Sequence, residues 1–419
     1  FGFLKGNVQV PEGAKCLNAQ PIKATDKMPW TETSAAHGQS PSVDIESCRI
    51  LAGSGYPEAA ELYKLRILNT VIRNVLCPPD LNGEEDGSDE KASGGILQFI
   101  CDDGKIHPRY SPLKETRRCS CAAPNLQNIA NDREKDYAAI LGEDYPGPIK
   151  SIFVADPGYV LLEVDYSGAE LLALGLTAFD EQLISDYYRS ALPDTDPNKL
   201  DIHSMIAVQA FGLKCAPTKL ALKEIGKEHC RFCAKRVIFG INYGRGAKSC
   251  HLQLLADGVE NITVDDVQQV IHSIHKRYPK IAAYHREAKL RVRRPGWICN
   301  CFGSYRRFWT GRSKDSILDA EREAINFPCQ SIVADAIACV MKNLYDYRKG
   351  SNLVYRLVMH NHDALTIAVL SEQKEEFIEK VLPVCFQQKV PLFSCTLDGK
   401  RRSDQEYFFN YEVKTLAEG

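Results

Sequence analysis

Residues 159–164 read YVLLEV, and this aliphatic run, which Asp165 ends, decides the fold. A continuous apolar run of this length is typical of a strand that is covered on both faces. Residues 96–101 also predict a strand, whereas patterns of helical period, broken by prolines, dominate residues 169–294. Strand patterns return in the C-terminal third. The order of strand, helices and strands predicts an α+β domain whose sheet is interrupted by a helical insertion.

A predicted hairpin near the C-terminus carries a second aspartate at a strand end. Residues 353–359 and 365–369 read as strands, and the polar tip between them, HNHD at 360–363, ends in Asp363. If the hairpin lies beside the first strand, Asp165 and Asp363 face one point. Carboxylates so placed suit Mg²⁺ in a two-metal site for phosphoryl transfer. The alternative, that both aspartates only form turns, is the commoner role of Asp beside a strand.

The composition is that of a soluble globular protein. The 419 residues are 44% hydrophobic and 25% charged, which excludes a disordered chain and predicts two to four units at roughly 100–200 residues each. The net charge of -2 does not exclude a nucleic-acid partner, because the local distribution of charge decides what a cleft attracts. No apolar run approaches the ~20 residues of a membrane-spanning helix, and no leader pattern is present, so we expect an intracellular protein without membrane contact.

The 16 cysteines are expected to be free thiols in a reducing compartment. A chain of this length with a full apolar complement can form a core without disulfides. Cys230 and Cys233 form a lone C-x-x-C, and metal binding by this pair is the less favoured alternative, because a structural zinc site needs two matched pairs or histidines at ligand spacing.

Four residues recur at every fourth position in the segment 231–244. Arg231, Lys235, Phe239 and Tyr243 form a slowly turning stripe along a predicted helix. The two cations could hold a triphosphate, the aromatic ring could pack on a base or sugar, and the glycines that follow Phe239 and Tyr243 would let another group approach the backbone closely. The alternative is a surface helix with extended Arg and Lys side chains and a buried Phe.

Residues 276–294 contain eight cations and only one acid, Glu287. Aromatic residues lie close by, among them Tyr278, Tyr284 and Trp297. Cations mixed with aromatic rings are expected of a groove that follows a nucleic-acid backbone. A solvated helix face would show the same run of charge, so both interpretations are open at this point.

Five ordered stretches together resemble the motifs of family A DNA polymerases, the bacterial polymerase I group and its phage and organellar relatives. The stretches are TRRCSCAAPNLQNIA at 116–130, VDYSGAEL at 164–171, RFCAKRVIFGINYG at 231–244, EREAINFPCQSIVADA at 321–336 and His362-Asp363. The resemblance covers about residues 103–369 and implies a template-directed DNA polymerase.

This resemblance implies a right-hand polymerase fold with an antiparallel palm sheet, helical fingers and a helical thumb. The implied domains are 1–100, an N-terminal thumb-like region with a helix at 57–76 and an acidic loop at 78–95; 101–174, the first part of the palm; 175–300, the fingers; and 301–419, the second part of the palm.

A D-x-E spacing at 44–46 resembles the carboxylate pair of a proofreading exonuclease. It is best explained by chance, because too little chain lies between it and the helix at 57–76 to form that domain.

The resemblance also implies the metal site. Asp165, Asp363 and the carbonyl of Tyr166 would bind two Mg²⁺ ions, which Mn²⁺ can replace. These ions would activate the primer 3′-hydroxyl and stabilise the leaving pyrophosphate.

A nucleotide site follows from the same resemblance. It is assigned to His203, Arg231, Lys235, Phe239, Tyr243 and Glu170. Lys235 would also act in catalysis by donating a proton to the leaving group. Phe239 would pack on the sugar and base, and Glu170 with Tyr243 would exclude a ribose 2′-hydroxyl.

Seven residues match positions that contact the duplex near the primer terminus. They are Arg118, Asn125, Gln127, Asn128, Arg322, Gln330 and His362. Arg and Gln side chains there can reach minor-groove acceptors that every Watson–Crick pair presents, which suits a copying enzyme. The expected partners are primer-template DNA and dNTPs, and the protein is expected to be a monomer. We expect it in the cytoplasm of a bacterium or of an infected host, and an organelle is not excluded.

Three departures from the family pattern leave alternatives open. Ala364 replaces the acid that commonly follows the second aspartate, Leu172 replaces an Arg, and Ile238 replaces an Asn. Both metal-binding aspartates remain, so we expect activity. The alternatives are a single-subunit RNA polymerase-like enzyme, which is not expected to keep Glu170 opposite Tyr243, and a catalytically weakened DNA-binding relative.

Overall fold

The computed structural model describes residues 48, 57–71, 95–129, 134–142, 149–259, 261–309, 311, 313–387, 397 and 407–418. The chain divides into two compact units. The first comprises Phe1–Gln98, Ala139–Gly142 and Leu252–Asn261; the second comprises Phe99–Ala138, Glu143–His251 and Ile262–Gly419. All residues to which the sequence assigns a role in catalysis or binding belong to the second unit.

The described part of the first unit contains helix α1, Pro57–Val71. This helix confirms the predicted one at residues 57–76 as far as the chain is described. Residues 72–76, the predicted acidic loop up to residue 94, and the D-x-E spacing at 44–46 lie outside the described residues.

The secondary structure alternates short strands with a long helical stretch. The strands are β1 Arg109–Ser111, β2 Ser120–Ala122, β3 Tyr159–Tyr166, β4 Trp297–Cys299, β5 Tyr305–Arg307, β6 Tyr355–Asn361, β7 Ala364–Leu370 and β8 Tyr411–Glu418. The helices after α1 are α2 Glu134–Leu141, α3 Ala169–Ala178, α4 Glu181–Ser190, α5 Ile202–Ala210, α6 Lys219–Glu224, α7 Glu228–Asn242, α8 Ala247–Ala256, α9 Val264–Arg277, α10 Pro279–Arg293, α11 Lys314–Lys349, α12 Lys374–Glu376 and α13 Leu382–Phe386.

Four strands form one antiparallel sheet in the order β6-β7-β3-β8. In β3, the residues from Val160 to Val164 are all buried, which confirms a strand covered on both faces. Strands β6 and β7 form the predicted hairpin, and its turn consists of His362 and Asp363. Helices α3 to α11 stand between β3 and β6 in the chain, so the predicted α+β class with an interrupted sheet is confirmed.

The predicted strand at residues 96–101 is wrong. Leu97–Phe99 is a short 3₁₀ helix, and Ile100 forms a single isolated bridge with Ile106. A tight turn follows at once, in which the Gly104 N–H donates to Cys101 O and Gly104 has a φ of 71°. The chain reverses too early for a longer ladder to form, and glycine makes this reversal possible because it adopts positive φ without strain.

Helix α11 is long and apolar enough to cross a membrane by length and composition alone. Its most apolar window has a mean hydropathy of 1.4, but 78% of that window is buried inside the protein. Helix α11 packs against α3, α10 and α13. It is therefore a core helix of the second unit.

The excess of positive charge counted along residues 276–294 is much smaller in the folded chain. Four of its cations form ion pairs, and three of the acids come from other helices. The pairs are Arg277–Asp186, Lys280–Glu181, Arg291–Glu287 and Arg293–Glu321, with N···O distances from 2.6 to 3.3 Å. The count of one acid along the sequence therefore overstates the local charge, because the partners on α4 and α11 are distant in the chain.

Asp186 is the most buried of these acids, with no exposed surface. Its carboxylate accepts hydrogen bonds from Arg277 Nε at 2.6 Å and Nη2 at 2.9 Å, from the Tyr278 hydroxyl at 2.8 Å and from Gln182 Nε2 at 2.9 Å. Such a carboxylate is stabilised only while its donors stay in place. The network fixes α4 against the end of α9.

We predict that Asp186→Ala lowers the free energy of unfolding by ~3–5 kcal/mol, because the substitution leaves Arg277 and Tyr278 without their acceptor. Urea unfolding followed by circular dichroism measures this loss. The control is Glu181→Ala on the same helix, whose ion pair with Lys280 is exposed and should contribute less than ~1 kcal/mol. Equal losses in the two variants would contradict the prediction.

Candidate active site

The two predicted metal-binding aspartates lie at the same end of adjacent strands. Strands β3 and β7 pair with Asp165 opposite Ala364, so Asp363 in the β6–β7 turn lies next to Asp165. The backbone N–H of Tyr166 donates to Asp363 O at 3.3 Å, which ties the turn to the end of β3. The expected juxtaposition is therefore present in the fold.

Both carboxylates are half-buried and lie in an acidic environment. Burial raises the pKa of Asp165 to about 6, and the negative charges of Asp363, Glu163 and Glu412 add to this effect, while Lys414 opposes it. Burial also raises the pKa of Asp363. The folded chain thus holds negative charges together at one point at a cost in free energy, which a bound cation would offset.

The donor set at this point fits Mg²⁺. Carboxylate oxygens from two strand ends and a nearby backbone carbonyl are the hard ligands that this ion prefers. The Tyr166 side chain is buried, and its hydroxyl donates to Phe386 O at 3.2 Å. The backbone that carries the proposed third ligand is therefore held in place.

The predicted stripe lies on helix α7. Arg231, Lys235 and Phe239 follow one another at single-turn intervals, and Tyr243 is the C-cap of the helix. Lys235 is exposed, while the other three are half-buried. The prediction of one helix that presents these four residues is confirmed, and their roles remain predictions.

Arg231 forms a two-point ion pair with Asp201. Its Nε donates to Asp201 Oδ2 at 2.8 Å and its Nη2 to Oδ1 at 3.3 Å. The same carboxylate is the N-cap of α5, where it accepts from the backbone N–H groups of His203 and Ser204. Burial alone would raise the pKa of Asp201, but the hydrogen bonds from Arg231 and Ser204 outweigh it and lower this pKa.

His203 lies in the first turn of α5, next to the stripe. Its ring centroid is 6.2 Å from that of Phe239, and its Nδ1 is buried without a hydrogen-bond partner among the described residues. Burial lowers the pKa of His203 to about 4, with further contributions from the positive charges of Arg231 and Lys235. The imidazole is therefore neutral at pH 7.

Glu170 and Tyr243 are in direct contact. The Tyr243 hydroxyl donates to Glu170 Oε1 at 3.1 Å, and Arg118 Nη2 donates to the same oxygen at 2.8 Å. Gln330 Nε2 donates to the Tyr243 oxygen at 3.3 Å. We name these four residues, Arg118, Glu170, Tyr243 and Gln330, the gate cluster; it joins α3 and the segment before β2 to the end of α7 and to α11.

Gln127 is in the 3₁₀ helix Leu126–Asn128 and contacts the hairpin that carries Asp363. Its Nε2 donates to Cys119 O at 3.1 Å and to His360 O at 3.3 Å. The Asn125 side chain caps the short helix by accepting from the Gln127 N–H. These contacts give Asn125 and Gln127 a structural role, and the helix includes Asn128 as well. Contact of the three residues with a duplex stays a prediction.

The remaining predicted duplex residues differ in accessibility. Arg322 is exposed on α11 and pairs with Asp319 at 3.0 Å. His362 is exposed in the hairpin turn with a φ of 59°. Gln330 is buried, with its amide engaged in the gate cluster. Arg322 and His362 are therefore open to a ligand, whereas Gln330 reaches one only if it releases Tyr243.

The two glycines of the stripe let side chains of neighbouring helices approach the backbone closely, as the sequence predicted. A Cβ on Gly240 would stand 2.7 Å from the Cys250 sulfur of α8. Gly244 has a φ of 66°, and a Cβ there would stand 3.3 Å from Ile325 of α11. Both positions therefore require glycine for close contact between helices and for the turn that ends α7.

Each departure from the family pattern is an apolar residue in a buried position. Leu172 on α3 and Ile238 on α7 have no exposed surface, and Ala364 at the start of β7 is 9% exposed. A charged or amide side chain at these sites would need a buried partner. The apolar residues are therefore compatible with the fold, and Ala364 leaves no acid directly after Asp363 in the chain.

Sequence reasoning assigned no role to Asp201 or Glu412. Asp201 precedes the apolar residues of α5, and this N-cap signature would have identified the helix start but not the ion pair. Glu412 lies opposite Asp165 on β8. No local pattern could find it, since the β3–β8 pairing joins residues almost 250 positions apart.

We predict that Asp201→Asn lowers the free energy of unfolding by ~1–2 kcal/mol, because an amide can still cap α5 but loses the charge that binds Arg231. Asp201→Ala should cost ~1 kcal/mol more, since the cap is lost as well. Urea unfolding of these variants, of Arg231→Gln and of the double variant Asp201→Asn/Arg231→Gln gives the coupling energy. A coupling energy of zero would show that the pair does not stabilise the fold.

Comparison with known proteins identifies the family. The model of DNA polymerase family A matches residues 90–400. The DNA polymerase I of Caldicellulosiruptor bescii is 30% identical over 305 residues, which are 71% of this chain and 32% of that protein. The thermostable DNA polymerase I of Thermus aquaticus is 27% identical over 295 residues, which are 69% of this chain and 31% of that protein.

A solved structure shares the fold. The POL domain of Pol1 from M. smegmatis, solved in complex with DNA primer-template and dNTP, matches 98% of this chain and 60% of that chain with a TM-score of 0.67 and 20% identity. This likeness confirms the fold class that the sequence predicted. The chain spans about a third of the length of the curated relatives named above. Because the family model matches most of its residues, the chain belongs to DNA polymerase family A.

Proposed function

We propose that this chain is a template-directed DNA polymerase that adds dNTPs to a primer 3′-hydroxyl by two-metal nucleotidyl transfer. The observation that carries the proposal is the juxtaposition of Asp165 and Asp363 at one end of the sheet. Membership of DNA polymerase family A supports it. The proposed partners are primer-template DNA and dNTPs, and the proposed location is intracellular.

Asp165, Asp363 and the carbonyl of Tyr166 would hold two Mg²⁺ ions. When bound, these ions supply Lewis acidity that favours ionisation of the primer 3′-hydroxyl and neutralises charge on the leaving pyrophosphate. The two carboxylates need not act as acid or base themselves. Their raised pKa values in the metal-free protein reflect the repulsion and burial that ion binding would relieve.

Helix α7 would hold the triphosphate. Arg231 uses Nε and Nη2 for Asp201, and no described residue accepts a hydrogen bond from Nη1. Asp201 thus fixes the plane of the guanidinium while Nη1 is left for a phosphate oxygen. Lys235, exposed one turn further along α7, would bind the same phosphates and donate a proton to the leaving group.

Phe239 and His203 would complete the nucleotide site. The Phe239 ring would pack on the sugar and base. Because its pKa is lowered to about 4, His203 would bind phosphate as a neutral hydrogen-bond donor. Its contribution should therefore not change between pH 6 and pH 8.

The gate cluster favours DNA synthesis over RNA synthesis. The Tyr243 hydroxyl and the Glu170 carboxylate, 3.1 Å apart, would fill the space beside the sugar 2′ position. A ribose 2′-hydroxyl would have to displace this pair, which Arg118 and Gln330 hold in place. This contact argues against the RNA polymerase-like alternative.

We predict that the protein extends a DNA primer on a DNA template with dNTPs and Mg²⁺, and that Asp363→Ala slows extension at least ~1,000-fold, because loss of a metal ligand removes several kcal/mol of transition-state stabilisation. Asp346→Ala is the matched control, since Asp346 is an exposed acid on α11 outside the site. A gel assay of primer extension measures all three proteins. Absence of extension by the wild type would favour the catalytically weakened relative, and equal rates for wild type and Asp363→Ala would refute the two-metal site.

We predict further that Glu170→Ala raises the efficiency of rNTP incorporation relative to dNTP at least ~10-fold, because the space beside the 2′ position opens. Single-nucleotide incorporation kinetics with each substrate give the ratio of kcat/KM values. Glu228→Ala, an exposed acid on α7, serves as control and should keep the wild-type ratio. An unchanged ratio in Glu170→Ala, or equal use of both substrates by the wild type, would contradict the proposed gate.

A further inference from the structure

A compact turn remote in sequence from the proposed catalytic residues carries three potential metal ligands of different chemistry. Residues 101–107 read CDDGKIH. The Cys101 sulfur, a carboxylate oxygen of Asp103 and an imidazole nitrogen of His107 all lie within 4.8 Å of one another. All three residues are exposed, so an ion can reach them from solvent.

The backbone of this turn explains why the three side chains converge. Ile100 and Ile106 form an antiparallel bridge, and the Cys101 N–H donates to Lys105 O at 2.8 Å. The Gly104 N–H donates to Cys101 O at 2.8 Å, which closes the turn. The backbone that carries the ligands is therefore ordered before any ion binds, so binding would mainly cost side-chain entropy.

The acidic ligand is already oriented. Asp103 accepts from His107 Nε2 at 2.9 Å and from the Lys105 N–H at 3.0 Å. Among the described residues, the Cys101 sulfur makes one long contact, of 3.8 Å, with Phe99 O. Few contacts therefore hold the thiol away from a metal ion.

We propose that Cys101, Asp103 and His107 form a binding site for a borderline divalent cation, with Zn²⁺ as the best match. Sulfur, nitrogen and oxygen ligands together suit Zn²⁺ and do not suit Mg²⁺, which prefers oxygen alone. Ligand distances of about 2.0–2.3 Å from Zn²⁺ place the ligand atoms of a tetrahedral site about 3.2–3.8 Å apart. Rotation of exposed side chains closes the present separations to that range, and water would fill the fourth position.

Binding of the ion to this site releases one proton from the protein. The Cys101 thiol releases its proton to solvent, and the His107 proton shifts from Nε2 to Nδ1 when Nε2 becomes the ligand. The hydrogen bond between His107 and Asp103 is replaced by bonds from both residues to the ion. No oxidant or reductant takes part.

A bound ion would fix the turn as a cross-link within the second unit. Lys105, at the centre of the turn, pairs with Asp156 at 2.8 Å, and Asp156 also pairs with Arg356 of β6. The turn is thus connected to the segment before β3 and to the edge strand of the sheet. Zn²⁺ would stabilise this connection by an amount that grows with the logarithm of its concentration above Kd.

The test is a titration of the full chain with Co²⁺, which takes the place of Zn²⁺ and reports its ligands by absorbance. We expect a thiolate-to-Co²⁺ charge-transfer band that saturates at one equivalent and disappears when Zn²⁺ is added. Cys101→Ser should abolish the band, and His107→Gln should weaken binding at least ~10-fold, since even second-shell changes cost that much. Ions bound by Asp165 and Asp363 give no such band, because that site contains no sulfur.

Cys215→Ser is the matched control, since Cys215 is a partly exposed thiol elsewhere in the chain, and it should keep the wild-type band and affinity. Circular dichroism of each variant checks that its fold is intact, as expected for substitutions of exposed side chains. A band of equal affinity in Cys101→Ser, or no thiolate band in the wild type, would overturn the proposal. The result does not depend on polymerase activity.

Discussion

The register between β3 and β7 is the constraint on which the candidate active site depends. The pairing of Asp165 with Ala364 puts the end of β3 beside the hairpin turn that carries Asp363. A slip of one residue would move every side chain of β3 to the opposite face of the sheet and disrupt the packing on both, because alternate residues face opposite sides. Burial of β3 on both faces makes such a slip costly. The hydrophobic core therefore sets the spacing of two charged side chains that repel each other.

Helix α7 is held by contacts at both of its ends. Arg231 near its start is bound by Asp201 of α5, and Tyr243 at its end is bound by Glu170 of α3. Between them, Gly240 allows the sulfur of Cys250 to come close. These contacts tie α7 to α5 and to α3, the helix that follows the strand carrying Asp165. In the proposed function, the cations of α7 and the two carboxylates act on one triphosphate, and the gate cluster contacts its sugar.

Local patterns in the sequence predicted the elements of this arrangement well. The aliphatic run of β3, the hairpin around His362 and Asp363 and the period of α7 were all visible, because each depends on residues close together in the chain. The partners were not visible: Asp186 for Arg277, Asp201 for Arg231 and Glu412 for Asp165 come from elements that only the fold brings together. The strand predicted at residues 96–101 failed because a turn stabilised by Gly104 reverses the chain there. The count of charges along residues 276–294 overstated the local positive charge for the same reason, because acids on α4 and α11 pair with these cations.

The central claim is that Asp165 and Asp363 form one metal site. The most direct measurement replaces Mg²⁺ with Fe²⁺ and maps where hydroxyl radicals generated at the bound ion cut the backbone. The account predicts cuts at two places, near Asp165 and near Asp363, which Mg²⁺ suppresses together at the same concentration. Cuts at only one of the two places, or cuts that respond differently to Mg²⁺, would contradict it.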